Sequence, residues 1–252
     1  MSVHTEDHDG VLVVTIDRPE ARNAVNSEVA HAIAAAMDRL DAEDDLRVGV
    51  LTGAGGTFSS GMDLKAFLQG DVPMIEGRGL GGLTEAPPRK PLVAAVEGYA
   101  LAGGFELALA CDLVVAGEGA RFGVPEVKRG LVAAAGAAML LPRRVPQAVA
   151  LELLLTGEPI DAARAAQLGL VNRVVPDGTA LEGALALAAT IAANGPLAVA
   201  VTNQVARDSR EWSDAEQWQR QQDLTGPVFV SHDAAEGATA FAEKRPPVWR
   251  GQ

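Results

Sequence analysis

The 252-residue chain carries 33 acidic and 21 basic residues, a formal net charge of −12. With 48% hydrophobic and 21% charged residues it has the composition of a folded globular protein, which excludes disorder as its main state. So acidic a balance argues against nucleic-acid or anionic-membrane partners, since both need a basic face, but leaves room for a small anionic ligand held by a few local cations.

Aromatic residues are scarce (six Phe, three Trp, one Tyr), so Ala, Val and Leu must fill the core, as in closely packed helices and sheets. The single cysteine, Cys111, has no intrachain partner for a disulfide, which suits a reducing compartment. The acidic start MSVHTEDHDG resembles neither a signal peptide nor an Arg-rich transit peptide. The longest apolar run, Leu131 to Leu141, is too short to span a bilayer. The expectation is a cytoplasmic protein with no membrane partner.

In chain order, Val11 to Ile16 (VLVVTI) reads as a buried strand ending in a turn at Asp17-Arg18-Pro19. Asn26 or Ser27 caps a helix whose apolar face is Val29, Ile33, Met37 and Leu40. Arg47 to Thr52 is a second strand, followed by a loop with glycines at 53, 55, 56 and 61. Gly70 to Pro91 mixes Gly, Pro and charge and predicts a mobile surface loop. Leu92 to Val96 and Leu113 to Val115 are further strands, with Gly103-Gly104 opening a helix over Phe105 to Cys111. Strands alternating with helices indicate a layered α/β core. Leu181 to Ala193, Leu197 to Arg207, Ala215 to Gln222 and Asp233 to Glu243 predict helices, so residues 1–180 read as an α/β core and 181–252 as a helical region.

Several motifs fail on inspection. Gly53 to Phe58 (GAGGTF) follows a strand but has Phe58 where a dinucleotide fingerprint needs its third glycine. Gly56 to Gly61 has phosphate-loop spacing, yet Met62-Asp63 stands where Lys-Ser/Thr belongs. The four histidines (His4, His8, His31, His232) lack metal-ligand spacing, and nothing places a base beside Ser59 or Ser60.

Two stretches survive: Phe58-Ser59-Ser60-Gly61-Met62-Asp63-Leu64-Lys65 and Gly98-Tyr99-Ala100-Leu101-Ala102-Gly103-Gly104-Phe105-Glu106. Each places glycine where a loop turns into a helix, leaving main-chain N–H groups free to face an anionic oxygen. Glu106 falls in the first turn of its helix, and Glu126 follows a rigid proline in an apolar setting, Phe122-Gly123-Val124-Pro125-Glu126. Either glutamate alone has an ordinary structural explanation, since the helix dipole favours acids in a first turn and Pro-Glu is a common helix start. Together, paired carboxylates beside an oxyanion-binding turn suit proton transfer alpha to a carbonyl, or water addition to a polarised alkene.

These residues resemble the enoyl-CoA hydratase/isomerase, or crotonase, superfamily. The resemblance runs from Arg18-Pro19-Glu20-Ala21-Arg22-Asn23-Ala24, through Gly103 to Leu131 without gaps, to Phe241-Ala242-Glu243-Lys244-Arg245-Pro246-Pro247. It implies a crotonase fold, a spiral of ββα units with a helical C-terminal trimerisation region, assembled as a homotrimer or dimer of trimers. The late apolar residues Trp212, Trp218, Phe229 and Val230 suit either such an assembly or packing within one chain. The resemblance further implies a coenzyme A thioester as substrate rather than cofactor, with no cofactor or metal besides. Its carbonyl would lie in an oxyanion hole formed by the N–H groups of Met62 and Gly103. Glu106 would activate a water for attack on Cβ, and Glu126 would deliver a proton to Cα. Arg22, Lys65 and Lys244 would face the CoA moiety, Lys244 on a neighbouring subunit's ligand, with Ala24, Ser60, Asp63 and Leu64 lending backbone to the adenine pocket.

Retention of both glutamates favours a trans-2-enoyl-CoA hydratase. A dehydratase of the same mechanism resembling carnitinyl-CoA dehydratase is the near rival. An enoyl-CoA isomerase is disfavoured by Glu106, and a non-catalytic acyl-CoA binder has no reason to keep the pair. The run Gly130 to Ala138 departs from many hydratases, with Ala134 replacing a glycine and no proline, which bears on the acyl pocket.

Overall fold

The computed structural model describes residues 2–252. Its centre is a six-stranded sheet of order β1-β2-β3-β6-β8-β11. Strands β1 (Val3–His8) and β2 (Val11–Ile16) pair antiparallel, Val3 opposite Ile16 and His8 opposite Val11. From β2 onward, β3 (Val48–Gly53), β6 (Leu92–Val96), β8 (Leu113–Gly117) and β11 (Arg173–Val175) pair parallel with their neighbours. Parallel strands covered on both faces read as near-continuous apolar runs, which is how VLVVTI and LVAAV appear in the sequence. β1 carries no such run. Only Val3 of its six residues is buried, so it is a polar edge strand whose exposed, charged side chains discourage pairing with another chain.

Helix α1 (Ser27–Ala42) is capped by Asn26, whose side chain accepts the Val29 N–H, and buries Val29, Ile33, Met37 and Leu40 as the spacing predicts. After β3 come the short helix α2 (Leu64–Phe67) and a two-stranded hairpin, β4 (Met74–Ile75) with β5 (Gly79–Leu80). The hairpin corrects the expectation of a plain surface loop over Gly70 to Pro91. Leu80 and Leu83 from this segment are 3% and 0% exposed, and the positive φ of Gly81 and Gly82 lets the turn lie against Leu107 and Ala34, where a Cβ would not fit.

A second sheet, β10-β9-β7, consists of β7 (Tyr99–Leu101), β9 (Arg121–Gly123) and β10 (Ile160–Asp161). β7 runs into α3 (Gly103–Ala110), and β9 into a 3-10 turn over Pro125–Arg129. Helices α4 (Ala137–Arg144), α5 (Gln147–Thr156) and α6 (Ala162–Gln167) follow, a segment for which the sequence pattern supplied no elements.

Helix α7 (Ala180–Ala192) packs on the outer face of the large sheet, Ala184, Ala188 and Ala192 meeting Val11, Val13, Val48, Val50, Val93 and Val115. Small residues four apart allow a close approach; a Cβ on Gly183 would already meet Val115 at 3.0 Å. The residue-180 boundary thus falls at the start of a helix that belongs, by packing, with the sheet. Beyond it, α8 (Pro196–Asp208), a 3-10 turn at Ser209–Glu211, α9 (Gln217–Phe229) and α10 (His232–Glu243) bury little. α9 extends seven residues beyond the expected end at Gln222, passing through Pro227. Trp218, Phe229, Val230 and Phe241 remain 72–88% exposed on this region. No single helix among the described residues is long and apolar enough to cross a membrane.

Candidate active site

Two loops leave the C-terminal ends of the adjacent parallel strands β3 and β6, where ligand crevices of α/β sheets lie. They are tied together by main-chain bonds. Ser59 N–H donates to Tyr99 O at 2.9 Å and Leu101 N–H to Ser59 O at 3.0 Å. Ser59 Oγ, fully buried, donates to Asn23 O and accepts the Gly61 N–H, fixing the turn that follows.

This register brings the Met62 and Gly103 N–H groups side by side. A Cβ on Gly61 (φ +90°) would lie 2.7 Å from Gly103 N, and one on Gly103 would lie 3.4 Å from Met62 N. Gly104 abuts the Ser59 carbonyl so closely that no side chain fits. Just before α3, Ala102 takes φ 52°, ψ −129°, a conformation L residues rarely adopt and one that costs on the order of 1–3 kcal/mol. Gly103 follows as the first residue of α3, where the N–H has no intrahelical acceptor. Among the described residues, neither the Met62 nor the Gly103 N–H has an acceptor. Two free donors held side by side can receive an anionic oxygen.

The strand pairing also explains how the glutamates meet. Leu101 stands opposite Gly123, and Ala102 N–H donates to Gly123 O at 2.9 Å, so the first turn of α3 and the 3-10 turn after β9 start from the same point. Glu106 is 3% exposed and accepts the Ala137 N–H, at the start of α4, at 3.1 Å. Burial pushes its carboxyl up to about 7; the Ala137 bond opposes the shift and the charge of Glu126 adds to it. Glu126 is half-buried and also raised, again through burial, with Arg129 opposing. Its Oε2 is buried without a hydrogen-bond partner. A buried carboxylate oxygen with nothing to bond is costly unless a ligand supplies the partner.

Met62, Gly103, Glu106 and Glu126 therefore gather at one place. Arg22, Ala24, Ser60, Asp63, Leu64 and Lys65 lie on the two segments joined by the Val25–Met62 bridge. Ser60 N–H donates to Arg22 O at 3.0 Å, the Ala24 carbonyl is taken by Arg18 Nη1, and the Lys65 side chain is exposed. Lys244 sits elsewhere, in the left-handed position ending α10, which packs against α9. Sequence reasoning gave no role to two supporting side chains. Arg18 bonds Asp63 at 3.0 Å, and fully buried Asn23 (φ 53°) donates to the carbonyls of Ala54 and Thr57, bracing the loop after β3. The signal available was a polar residue type tolerant of positive φ just after the Arg-Pro turn.

Comparison with known proteins gives the family. The profile of the enoyl-CoA hydratase/isomerase family matches residues 6–252. The chain belongs to the enoyl-CoA hydratase/isomerase family. The enoyl-CoA hydratase EchA19 of Mycobacterium tuberculosis is 44% identical over 251 residues, covering 94% of this chain and 91% of that protein. The carnitinyl-CoA dehydratase of Proteus mirabilis is 39% identical over 259 residues, covering 100% and 99%. Among solved structures, the enoyl-CoA hydratase EchA1 of Mycobacterium marinum superimposes with a TM-score of 0.98 at 57% identity, covering 100% and 99% of the two chains. The fold is thus the crotonase fold of the enoyl-CoA hydratase/isomerase family, as the sequence resemblance implied. The relatives carry names of two kinds, enoyl-CoA hydratase and carnitinyl-CoA dehydratase.

Proposed function

We propose that the protein is a trans-2-enoyl-CoA hydratase, forming a 3-hydroxyacyl-CoA. The observation that carries this reading is the pair of raised glutamates beside two unpartnered N–H groups, one of the glutamates having a buried oxygen without a hydrogen-bond partner. The thioester oxygen lies between the N–H groups of Met62 and Gly103, which polarise the conjugated system and draw charge from Cβ. Ionised Glu106 takes a proton from a water whose oxygen bonds to Cβ. The electron pair of the double bond moves to the thioester as an enolate held by the two N–H groups. Protonated Glu126 delivers its proton to Cα, leaving Glu126 ionised and Glu106 protonated; return of one proton between them, or through solvent, resets the pair. Proton transfer by placed groups of this kind contributes about 10² to 10⁴ in rate.

No cofactor is needed, CoA being part of the substrate, with Arg22 and Lys65 beside the phosphates and Ala24, Ser60, Asp63 and Leu64 around the adenine. The exposed apolar residues on α9 and α10 suit cover by two further copies in a homotrimer, or a dimer of trimers, with Lys244 reaching a neighbour's ligand. Cytoplasmic location fits the lone cysteine.

Carnitinyl-CoA dehydration is the second reading, favoured by relatives of that name spanning the whole chain. Binding a quaternary ammonium calls for aromatic faces or a carboxylate cage. Leu131, whose N–H bonds the Glu126 carbonyl, and Val132 beside it instead present an exposed apolar rim next to Glu126. That rim suits a plain alkyl chain. Loss of enoyl-thioester absorbance with crotonyl-CoA, set against the crotonobetainyl thioester, tests the choice. Hydration of crotonyl-CoA with the higher kcat/KM supports the proposal, and the reverse order overturns it.

A further inference from the structure

A second cleft, of about 230 Å³, opens at the far ends of α3 and α4. Arg143 and Arg144 reach it from the end of α4, Asp112 from just beyond α3, Asn172 from the loop before β11, and Arg210 from the 3-10 turn after α8. None of the groups placed in the active site lines it.

Its charges do not balance. Asp112 is spent: Oδ1 accepts Arg207 Nε at 2.7 Å, while Oδ2 accepts Arg207 Nη2 at 2.6 Å, Leu92 N–H at 2.8 Å and Asn203 Nδ2 at 3.2 Å. Glu211 comes only to 3.9 Å from Arg143. The partly buried Arg144 has one protein partner, the Leu109 carbonyl, and burial together with the neighbouring Arg210 holds its guanidinium below the ordinary range. Among the described residues Arg210 has no hydrogen-bond or ion-pair partner. The side-chain oxygen of Asn172 is taken by Val114 N–H, leaving its amide N–H groups without an acceptor. Four arginines thus face two carboxylates, one already saturated, in a chain whose net charge is −12. The partly buried Arg144, with the exposed Arg143 and Arg210 beside it, makes a cluster of like charge that is unfavourable in the empty cleft and favourable around an anion.

We infer that this cleft is a binding site for a phosphate-type dianion. Three guanidiniums and an amide present more donors than one carboxylate can accept, and Arg forks match phosphate oxygens two at a time. The volume falls below the roughly 300–1,000 Å³ of drug-sized pockets, so it takes a phosphate group rather than a whole large molecule. The source is free phosphate or the phosphate arm of a nucleotide. The occupant touches the end of α4, the helix that opens with the Ala137 N–H holding Glu106.

The test compares wild type with Arg143→Ala/Arg210→Ala, two exposed side chains outside the catalytic groups, by titration calorimetry and thermal midpoint at constant ionic strength. Inorganic phosphate and adenosine 3′,5′-bisphosphate are the probes. The latter also suits the CoA site, so its arm is read as the difference between wild type and variant. The expected result is saturable binding to wild type that weakens about 10²-fold in the variant with crotonyl-CoA turnover unchanged, two charge-assisted contacts having been lost. A response to the nucleotide alone assigns the phosphate to a nucleotide arm. Equal responses in both proteins, or a response that sodium chloride reproduces, overturn the inference. A smaller oligomer for the variant in sedimentation, with no phosphate effect on wild type, assigns the arginines to a contact between copies and also overturns it. Should the double variant lose its fold, Arg210→Gln gives the same reading.

Discussion

The Ala137 N–H, at the start of α4, donates to Oε1 of Glu106 in the first turn of α3, at 3.1 Å and across 31 residues of sequence. One main-chain donor does not offset the burial of that carboxyl, which titrates near 7 instead of 4.5. Between those values the folded state binds a proton that the unfolded chain has released, so stability falls as pH rises from about 4.5 to 7. The shift of roughly 2.5 units corresponds to about 3 kcal/mol held against the fold at pH 8. Glu106→Gln keeps an acceptor for Ala137 and removes the charge. We expect it to raise the unfolding free energy by about 2–3 kcal/mol at pH 8 and by almost nothing at pH 4, measured by urea denaturation. An equal effect at both values would show that the carboxylate is not the source.

The same shift sets the pH dependence of the reaction. In the proposed mechanism Glu106 works ionised, so the fraction of enzyme with a competent base rises as pH passes through about 7. In the same proposal Glu126, also raised by burial, works protonated, so kcat/KM falls wherever Glu126 has lost its proton and activity is confined to the pH range in which the two forms coexist. Glu106→Gln and Glu126→Gln should each lower kcat by about 10² to 10⁴, followed as enoyl-thioester absorbance. A flat profile between pH 5 and 9 in the wild type would rule out this division of labour.

How far these relations could be read from the sequence depended on what each leaves in it. β2, β3 and β6 stand within about a residue of their expected limits because strands buried on both faces need uninterrupted apolar runs. β1 had no such signature, since its stability comes from main-chain pairing with β2 and five of its six side chains face water. Leu80 and Leu83 were hidden among Gly and Pro, whose turns bring the two leucines inward. The glutamates and the two glycine turns were legible as residue types at a spacing. The Ala137 donor was not, because a main-chain N–H is common to almost every residue type. The pairing of Arg18 with Asp63 was not either, lying 45 residues apart with no periodicity to link them.

Gly61 gives a sharper test of the proposed oxyanion hole than either glutamate. A methyl group there would stand 2.7 Å from Gly103 N and force an L residue to φ +90°. The backbone conformation alone costs about 1–2 kcal/mol. Gly61→Ala should therefore fold with a modestly lowered melting point yet lose about 10² to 10³ in kcat, the scale of a lost oxyanion donor. Wild-type turnover in a folded Gly61→Ala protein would place the thioester oxygen elsewhere.

The Arg18–Asp63 pair braces the loop that carries Met62. Arg18 Nη2 lies 3.0 Å from Asp63 Oδ2 and its Nη1 bonds the Ala24 carbonyl, while Asp63 Oδ1 accepts the N–H groups of Lys65 and Ala66 and so caps α2. Burial would raise the Asp63 carboxyl, but the Ala66 N–H, Arg18 and the Lys65 N–H together hold it below 3.8, so this stabilisation is present at neutral pH and is lost as pH falls below that range. Both side chains are largely buried, 19% and 13% exposed, and removing one partner strands the other. Arg18→Ala should lower stability by about 2–4 kcal/mol at pH 7, and by less near pH 3. Asp63→Asn keeps a helix-capping oxygen but loses the charge, so it should cost less stability while still raising KM for the CoA thioester, because Met62 stands next to Asp63 in the loop. A double-mutant cycle with Arg18→Ala and Asp63→Ala measures the coupling directly. A coupling energy near zero at pH 7 would mean that the two side chains support the loop independently.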